Sequence, residues 1–156
     1  MITIRPATAA DQSAIVALIR AVDINPMDLK WPHFVLAVDE ATGAVVGTGQ
    51  IKRHRDGSRE LASIATDPAY QRRGIAHQII DRLLAQHSGV LYLTCMDYME
   101  SLYTQFGFRA IDVPEMTPYF KRLAKIAGAF MFVRRSDQKL LVMKREAAPE
   151  ALNGAS

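Results

Sequence analysis

The segment spanning residues 66–76 constrains this chain most, because it joins an apolar, strand-like run at residues 61–65 to an amphipathic helix. A loop of this kind presents successive backbone N–H groups at a helix N-terminus, where the helix dipole also favours an anion. Gly74 allows the backbone to approach a ligand closely, and Arg72 and Arg73 stand beside it. The segment predicts a diphosphate site, and the alternative is an ordinary strand-to-helix loop with solvated arginines.

Size and composition favour one globular domain. The chain has 156 residues, 49% of them apolar, and no apolar run approaches the about 18 residues that span a bilayer. We expect a single domain over residues 1–146 and a disordered tail over residues 147–156. A single cysteine, Cys95, cannot form an internal disulfide, and no secretory signal is visible, so a cytoplasmic location is expected. No Cys/His cluster has metal-ligand spacing, so no metal is expected.

The net charge of +3 is unevenly distributed along the chain. Residues 121–145 are rich in basic side chains, with Asp137 as the opposing acid. The basic residues are Lys121, Arg122, Lys125, Arg134, Arg135, Lys139, Lys144 and Arg145. Such a region can attract an acidic substrate, a nucleic acid or a membrane surface, but few aromatic residues are interleaved with it. We interpret it as a solvated basic face and expect neither a nucleic-acid nor a membrane partner.

Hydrophobic periodicity predicts a mixed α/β fold whose central sheet is mostly antiparallel and flanked by helices. Predicted strands cover residues 2–6, 34–38, 44–52, 60–66, 90–95, 108–111 and 139–144. Predicted helices cover residues 9–22, 74–87 and 97–106, with an amphipathic piece near 119–131 and a short helix near 27–30. The helix at 74–87 makes a crossover connection, which implies parallel pairing of strands 60–66 and 90–95.

Two short motifs resemble those of the GNAT superfamily of N-acyltransferases. Residues 71–76, QRRGIA, are similar to its acyl-CoA-binding motif Q/R-x-x-G-x-G/A, and residues 103–108, YTQFGF, resemble its Y-x-x-x-G-F element. The predicted order of elements from residue 2 to about residue 145 is also that of the family. The resemblance implies a GNAT-like fold with a V-shaped splay between the two parallel strands.

The resemblance also implies where acetyl-CoA, the acyl donor, would bind. Main-chain groups of the first parallel strand would bond the pantetheine arm, and backbone amides of the loop would hold the pyrophosphate without a metal. The pantetheine residues are Ile64, Ala65 and Thr66, and the loop residues are Gln71, Arg72, Arg73, Gly74, Ile75 and Ala76.

Acyl transfer to an amine requires a base for the amine and a proton donor for the departing sulfur. The resemblance implies Glu60 as the base, and the alternative is an exposed carboxylate paired with Arg55 or Arg59. It implies Tyr103 as the acid, and the alternative is a tyrosine that only packs in the core. Cys95 ends a buried strand with no activating base nearby in sequence, so we interpret it as a core residue.

The remaining candidates have weaker sequence contexts. We expect His54, His77 and His87 at the surface, while His33 lies where it could face the acceptor site. The region between residues 114 and 133 is an insertion relative to the commonest family pattern. We expect it to cover one side of the acceptor cleft or to form a dimer contact. Packing is the favoured role for Trp31, Tyr119 and Phe120.

The combined prediction is an N-acetyltransferase that moves an acetyl group from acetyl-CoA to a primary amine of a small molecule. The amine would attack the thioester directly in a ternary complex. Two alternatives remain: an acetyltransferase for protein lysines or N-termini, and a non-catalytic acyl-CoA-binding module. The expected partner is the amine substrate, and a homodimer is left open.

Overall fold

A computed structural model describes residues 1–134 and 138–148, with only the backbone described at residues 129–134. The strands are β1 (Ile2–Pro6), β2 (Phe34–Asp39), β3 (Ala44–Arg53), β4 (Arg59–Thr66), β5 (Leu91–Met96), β6 (Arg109–Ala110) and β7 (Leu140–Arg145). The α-helices are α1 (Gln12–Ala21), α2 (Ile75–Ala85), α3 (Glu100–Thr104) and α4 (Pro118–Arg134). Most of the tail predicted to be disordered lies outside the described residues, and the amide of Ala148 donates to the carbonyl of Ser88.

The strands form a seven-stranded sheet in the order β1-β2-β3-β4-β5-β7-β6. Strand β1 pairs with β2, β2 with β3, and β7 with both β5 and β6, all in antiparallel fashion. Strands β4 and β5 pair in parallel, with Glu60 beside Tyr92. The mixed, mostly antiparallel sheet and its parallel pair are therefore confirmed.

The chain divides into two compact units, of which the first comprises Met1–Lys52 and Leu61–His87. Its core includes Ile15 and Ile19 of α1 with Phe34 and Leu36 of β2, all at most 2% exposed. Helix α2 packs closely on β3 in this unit because β3 carries glycine at two inward positions. A Cβ on Gly49 would lie 2.5 Å from the Cγ2 of Ile79.

Strand β4 contains an irregularity at Ser63, whose φ of +58° lies in the left-handed region. Two fully buried polar side chains of β3 hold it in place: Thr48 Oγ1 donates to the Ser63 carbonyl over 2.8 Å, and Gln50 Nε2 donates to Ser63 Oγ over 2.8 Å. The conformation is unfavourable for a serine in isolation, so these bonds offset a local backbone cost. Nothing in the sequence predicts this irregularity.

The second unit comprises Arg53–Glu60 and the chain from Ser88 onward. Its hairpin turn is closed by the amide of His54, which donates to the carbonyl of Ser58 over 2.9 Å. Tyr92, Ile111, Phe120 and Val142 form its core, and α4 packs against β7. The amphipathic piece predicted near residues 119–131 is thus a longer helix that supplies a fully buried phenylalanine.

Three local predictions need correction. The short helix expected near residues 27–30 is absent, because Asp28 has a φ of +57° that no right-handed helix accommodates; a 3-10 turn follows instead at Trp31–His33. The helix expected at 97–106 divides into a 3-10 turn, Asp97–Met99, and α3. The strand expected at 108–111 is only β6, Arg109–Ala110.

Candidate active site

The second unit contains a buried acid–imidazole pair at the start of β4. Glu60 is 7% exposed, and its Oε1 lies 2.8 Å from Nε2 of His54. The other carboxylate oxygen, Oε2, has no hydrogen-bond partner among the described residues. One oxygen is thus fixed by the imidazole while the second remains available to accept a proton. The alternative in which Glu60 is an exposed carboxylate paired with Arg55 or Arg59 is wrong.

His54 is the functional candidate that the sequence analysis missed. Its side chain is only 10% exposed, so the expectation of a surface histidine is wrong. The spacing within the hairpin could have predicted the role of His54. Residue 54 pairs with residue 58, and residue 60 follows on the same face of the next strand. A histidine and a glutamate in this diagonal relation across a short turn are within hydrogen-bonding reach.

The first turn of α4 holds this pair from one side. The ring of Tyr119 stacks on that of His54, with centroids 3.6 Å apart and planes at 15°. Asp56 fixes the helix start, because one carboxylate oxygen accepts the amide of Tyr119 over 2.9 Å and the other accepts the amide and hydroxyl of Ser58. Although burial opposes it, these hydrogen bonds hold the pKa of Asp56 well below its usual range. Tyr119 therefore packs, as expected, and its stack restrains the orientation of the imidazole.

Tyr103, the predicted acid, lies on α3 and is 8% exposed. Its ring meets that of Phe108 edge to face, with centroids 6.3 Å apart. Burial raises the pKa of Tyr103 to about 12, with a smaller contribution from Cys95. With this pKa the hydroxyl is protonated near neutral pH, and no described residue accepts its O–H, so it can donate to a ligand.

Cys95 is a core residue, as predicted. Its thiol contacts the sulfur of Met143 at 3.6 Å, and burial raises its pKa to about 11, helped by Glu100 and Asp97. A thiol with this pKa is almost entirely protonated near neutral pH, and the thiolate is the reactive form. Cys95 is therefore poorly suited to form an acyl-enzyme.

The predicted diphosphate loop belongs to the first unit. It leaves β4 through a 3-10 turn, Pro68–Tyr70, which Asp67 caps by accepting the amide of Ala69. Arg72 has a φ of +64° and Gly74 a φ of +75°, and Gly74 precedes the first residue of α2. These two left-handed residues turn the chain sharply into the helix.

The end of this loop has the donor set that a phosphate requires. No described residue accepts the amides of Arg73, Gly74, Ile75 or Ala76, and nothing lies within 4 Å of a Cβ placed on Gly74. Amides at a helix N-terminus lack intrahelical acceptors and favour anions. Gln71, Arg72 and Arg73 are exposed. The guanidinium of Arg73 lies 4.9 Å from the centroid of the Tyr70 ring.

Ile64, Ala65 and Thr66 end β4 just after the Ser63 irregularity. Ala65 is buried in the first core, and the other two are half-buried. The predicted coenzyme residues thus all belong to the first unit, whereas Glu60 and Tyr103 belong to the second.

His33 is exposed, and no group of three or more His, Cys, Asp or Glu residues in the described ranges is placed to hold a metal. Within those same ranges, no helix has the length and apolar character needed to traverse a bilayer.

A family model described as an acetyltransferase (GNAT) domain matches residues 30–110, which contain the hairpin, the loop and Tyr103. The chain belongs to the GNAT acetyltransferase family. This membership confirms the resemblance carried by the two sequence motifs and makes the chain an acyl-CoA-dependent acetyltransferase. A GNAT relative, N-alpha-acetyltransferase RimI of Mycobacterium tuberculosis (strain ATCC 25618 / H37Rv), is 30% identical over 117 residues, covering 70% of each chain.

Solved structures share the GNAT fold at lower identity. Rv2747 from Mycobacterium tuberculosis, in complex with CoA and NLQ, superposes with a TM-score of 0.69 at 20% identity, covering 92% of this chain and 98% of that one. N-acetylglutamate synthase from Neisseria gonorrhoeae, complexed with coenzyme A and N-acetyl-glutamate, gives a TM-score of 0.68 at 17% identity. The match covers 94% of this chain but 35% of the synthase.

Proposed function

We propose that this acetyltransferase transfers the acetyl group of acetyl-CoA to a primary amine of a small molecule, by direct attack in a ternary complex. The observation that carries the proposal is the Glu60–His54 pair: a buried carboxylate with one oxygen bonded to an imidazole and the other without a described partner. A general base needs one oxygen free for the incoming proton.

In this mechanism Glu60 Oε2 accepts a proton from the amine, directly or through water. The imidazole of His54 keeps the carboxylate oriented by donating from Nε2, and the Tyr119 stack keeps the imidazole oriented in turn. The neutral amine then forms a bond to the thioester carbon as the carbonyl oxygen takes up negative charge. Collapse of that intermediate breaks the carbon–sulfur bond.

Tyr103 assists the departing sulfur by donating a hydrogen bond. Its raised pKa of about 12 exceeds the about 8.5 of an ordinary cysteine thiol, so complete transfer of its proton to a free thiolate would be unfavourable. The hydroxyl instead stabilises the charge that develops on sulfur. The thiol gains its final proton from solvent or from the proton that the amine released.

Acetyl-CoA binding is assigned to the loop and to the end of β4. The amides of Arg72, Arg73, Gly74, Ile75 and Ala76 would hold the pyrophosphate, with Gln71 at the start of the motif. Backbone groups of Ile64, Ala65 and Thr66 would bond the pantetheine amides. The unused amides at the start of α2 and its dipole support this assignment without a metal. That Rv2747 and the synthase are complexed with CoA supports the same donor here.

A second candidate function is acetylation of a protein N-terminus or lysine. The observation in its favour is the 30% identity to an enzyme named as an N-alpha-acetyltransferase. The small-molecule proposal is supported instead by the N-acetyl-glutamate in the synthase complex. Both candidates use the same base and the same donor, so the acceptor distinguishes them.

The test measures thiol release from acetyl-CoA with free amino acids, alkylamines, peptides with a free N-terminus, and peptides whose only amine is a lysine side chain. We expect turnover with a free amino acid or small amine that Glu60→Gln slows by about 10²- to 10⁴-fold. Arg59→Gln, which changes an adjacent charged residue, is the matched control and should retain activity. Turnover with peptides alone would establish the second candidate instead. Calorimetric binding of coenzyme A without turnover of any acceptor would indicate a non-catalytic module.

A further inference from the structure

The first unit buries a lysine that has no ionic partner among the described residues. Lys52 lies near the end of β3 and is 7% exposed. Its Nζ donates to the backbone carbonyl of Met27 over 3.0 Å, and within the described ranges it forms no ion pair. An ammonium has three N–H donors, so two of them have no described acceptor. Because an ammonium without an ionic partner attracts negative charge, this position would be stabilised by an anion.

Gln50 lies two residues earlier on the same face of β3, and its side-chain oxygen lacks a hydrogen-bond donor. It is fully buried, and its Nε2 donates to the carbonyl of Asp28 over 3.2 Å and to Ser63 Oγ over 2.8 Å. Its Oε1 is buried without a hydrogen-bond partner in the described part of the chain. Buried amide oxygens are nearly always bonded, so the pair offers unfilled donors on one side chain and an unfilled acceptor on the next.

Both side chains donate hydrogen bonds to the loop between α1 and β2. Lys52 and Gln50 bond the carbonyls of consecutive residues, Met27 and Asp28. Met27 is 66% exposed, and Asp28 adopts a φ of +57°. A ligand that engages the two β3 side chains would therefore also change how this strained, exposed loop is held.

We propose that Lys52 and Gln50 form an acceptor subsite that recognises the carboxylate and a neighbouring N–H group of an amino-acid-like amine. One buried cation balances one negative charge, which favours a carboxylate over a doubly charged phosphate. The Gln50 oxygen would accept the N–H and would repel a second oxyanion. The inference deepens the proposed function and rests on its small-molecule acceptor.

The competing explanation is that Lys52 only fastens the loop. Under that explanation, replacement of Lys52 would impair all acceptors alike and would lower stability without any dependence on a carboxylate. Under the proposal, the loss depends on whether the acceptor carries that group. The two explanations therefore differ in specificity rather than in total activity.

The first experiment compares kcat/KM for free amino acids and for their carboxamides, with Lys52→Met and with Lys30→Met as a control. Lys30 is an exposed lysine at the end of the same loop. We expect the wild-type enzyme to favour the acid over the amide at least tenfold, and Lys52→Met to abolish that preference through KM. Lys30→Met should preserve it. Equal use of acid and amide by the wild type, or an equal loss for both in Lys52→Met, would overturn the subsite.

A binding experiment separates the subsite from catalysis. Trp31 is the single tryptophan of the chain, and its amide bonds Gln12, which also bonds the loop carbonyl of Leu29. Its fluorescence can follow titration with glutamate and with a carboxylate-free amine in the presence of coenzyme A. A carboxylate-dependent change that Lys52→Met removes and Lys30→Met keeps supports the subsite even if no acceptor is acetylated. A response of the same size and midpoint in Lys52→Met contradicts it, as does the absence of any carboxylate-dependent response in wild type.

Discussion

The ring of Tyr119 lies flat on the ring of His54, with centroids 3.6 Å apart. This contact links the insertion after the Y-x-x-x-G-F element to Glu60, the proposed base, because His54 also bonds the Glu60 carboxylate at 2.8 Å. Asp56 fixes the amide of Tyr119, so the helix start and the hairpin are joined by both a stack and a hydrogen bond. Under the proposed mechanism, the insertion would therefore help to orient the base.

Removal of this stack should slow chemistry without weakening coenzyme binding. An aromatic stack contributes about 0.5–1.5 kcal/mol, so Tyr119→Ala should lower kcat by about 2- to 10-fold. Tyr119→Phe preserves the ring and should retain most activity. Steady-state kinetics with calorimetry of coenzyme A binding measures both effects. An unchanged kcat in Tyr119→Ala would show that the imidazole needs no support from α4.

The Glu60–His54 pair should behave as one unit. Glu60→Gln keeps the shape but removes the proton acceptor, and loss of a general base typically costs about 10²- to 10⁴-fold in kcat. His54→Gln should cost less, because the carboxylate remains but loses its orientation. The double variant should be no slower than Glu60→Gln, since both changes remove the same function. Independent, multiplicative losses in a double-mutant cycle would separate the two residues.

Removal of the Tyr103 hydroxyl should lower activity, whereas removal of the Cys95 thiol should not. Tyr103→Phe removes the donor to sulfur and should lower kcat by about 10- to 100-fold, consistent with a lost hydrogen bond to developing charge. Cys95→Ala should retain activity, with a modest fall in melting temperature from the lost buried volume. Because the pKa of Tyr103 is about 12, ionisation of this residue should not lower kcat between neutral pH and about pH 10. A basic limb below pH 10 that Tyr103→Phe abolishes would refute this.

Local sequence patterns predicted the backbone elements of the site better than the side-chain contacts within it. The loop around Gly74 and the strand that carries Glu60 follow from periodicity and turn residues, which act over a few neighbouring positions. The burial of His54 does not, because it depends on Tyr119, which is far along the chain and approaches only when α4 packs on β7. The Ser63 irregularity likewise depends on Thr48 and Gln50 of another strand. Long-range polar contacts leave no local signature.

Alanine substitutions at two glycines with nearly equal φ angles can distinguish an effect on coenzyme binding from an effect on backbone strain. Gly74 and Gly43 have φ angles of +75° and +73°, and a Cβ added to either would have no atom within 4 Å. Alanine at either position should destabilise the fold by a similar amount, about 1 kcal/mol, from left-handed strain. Gly74→Ala alone should weaken coenzyme A binding, because the altered turn misaligns the amides. Equal coenzyme affinities in the two variants would contradict the phosphate assignment.

The ion pair between Arg5 and Asp11 should make stability depend on pH in acid. Arg5 bonds both carboxylate oxygens of Asp11 at 2.8 and 3.0 Å, and the amide of Thr8 bonds one at 2.7 Å. The hydrogen bond from Arg5 contributes most to holding the pKa of Asp11 far below its usual value, and burial opposes it. A depressed folded-state pKa means that the stabilisation is complete above the unfolded pKa of about 3.9 and is lost as pH falls toward the folded value.

Asp11→Asn should therefore destabilise the protein by about 1–2 kcal/mol near neutral pH, because it removes the charge that Arg5 and the cap require. Denaturant unfolding from pH 7 to pH 2 measures the gap between variant and wild type. The gap should be constant down to about pH 4 and then narrow, since protonation removes the same interaction from the wild type. Asp81→Asn, an exposed acid on α2, should show no such gap. A gap that widens in acid would mean that Asp11 is stabilised in its protonated form, and the assigned direction of its pKa would be wrong.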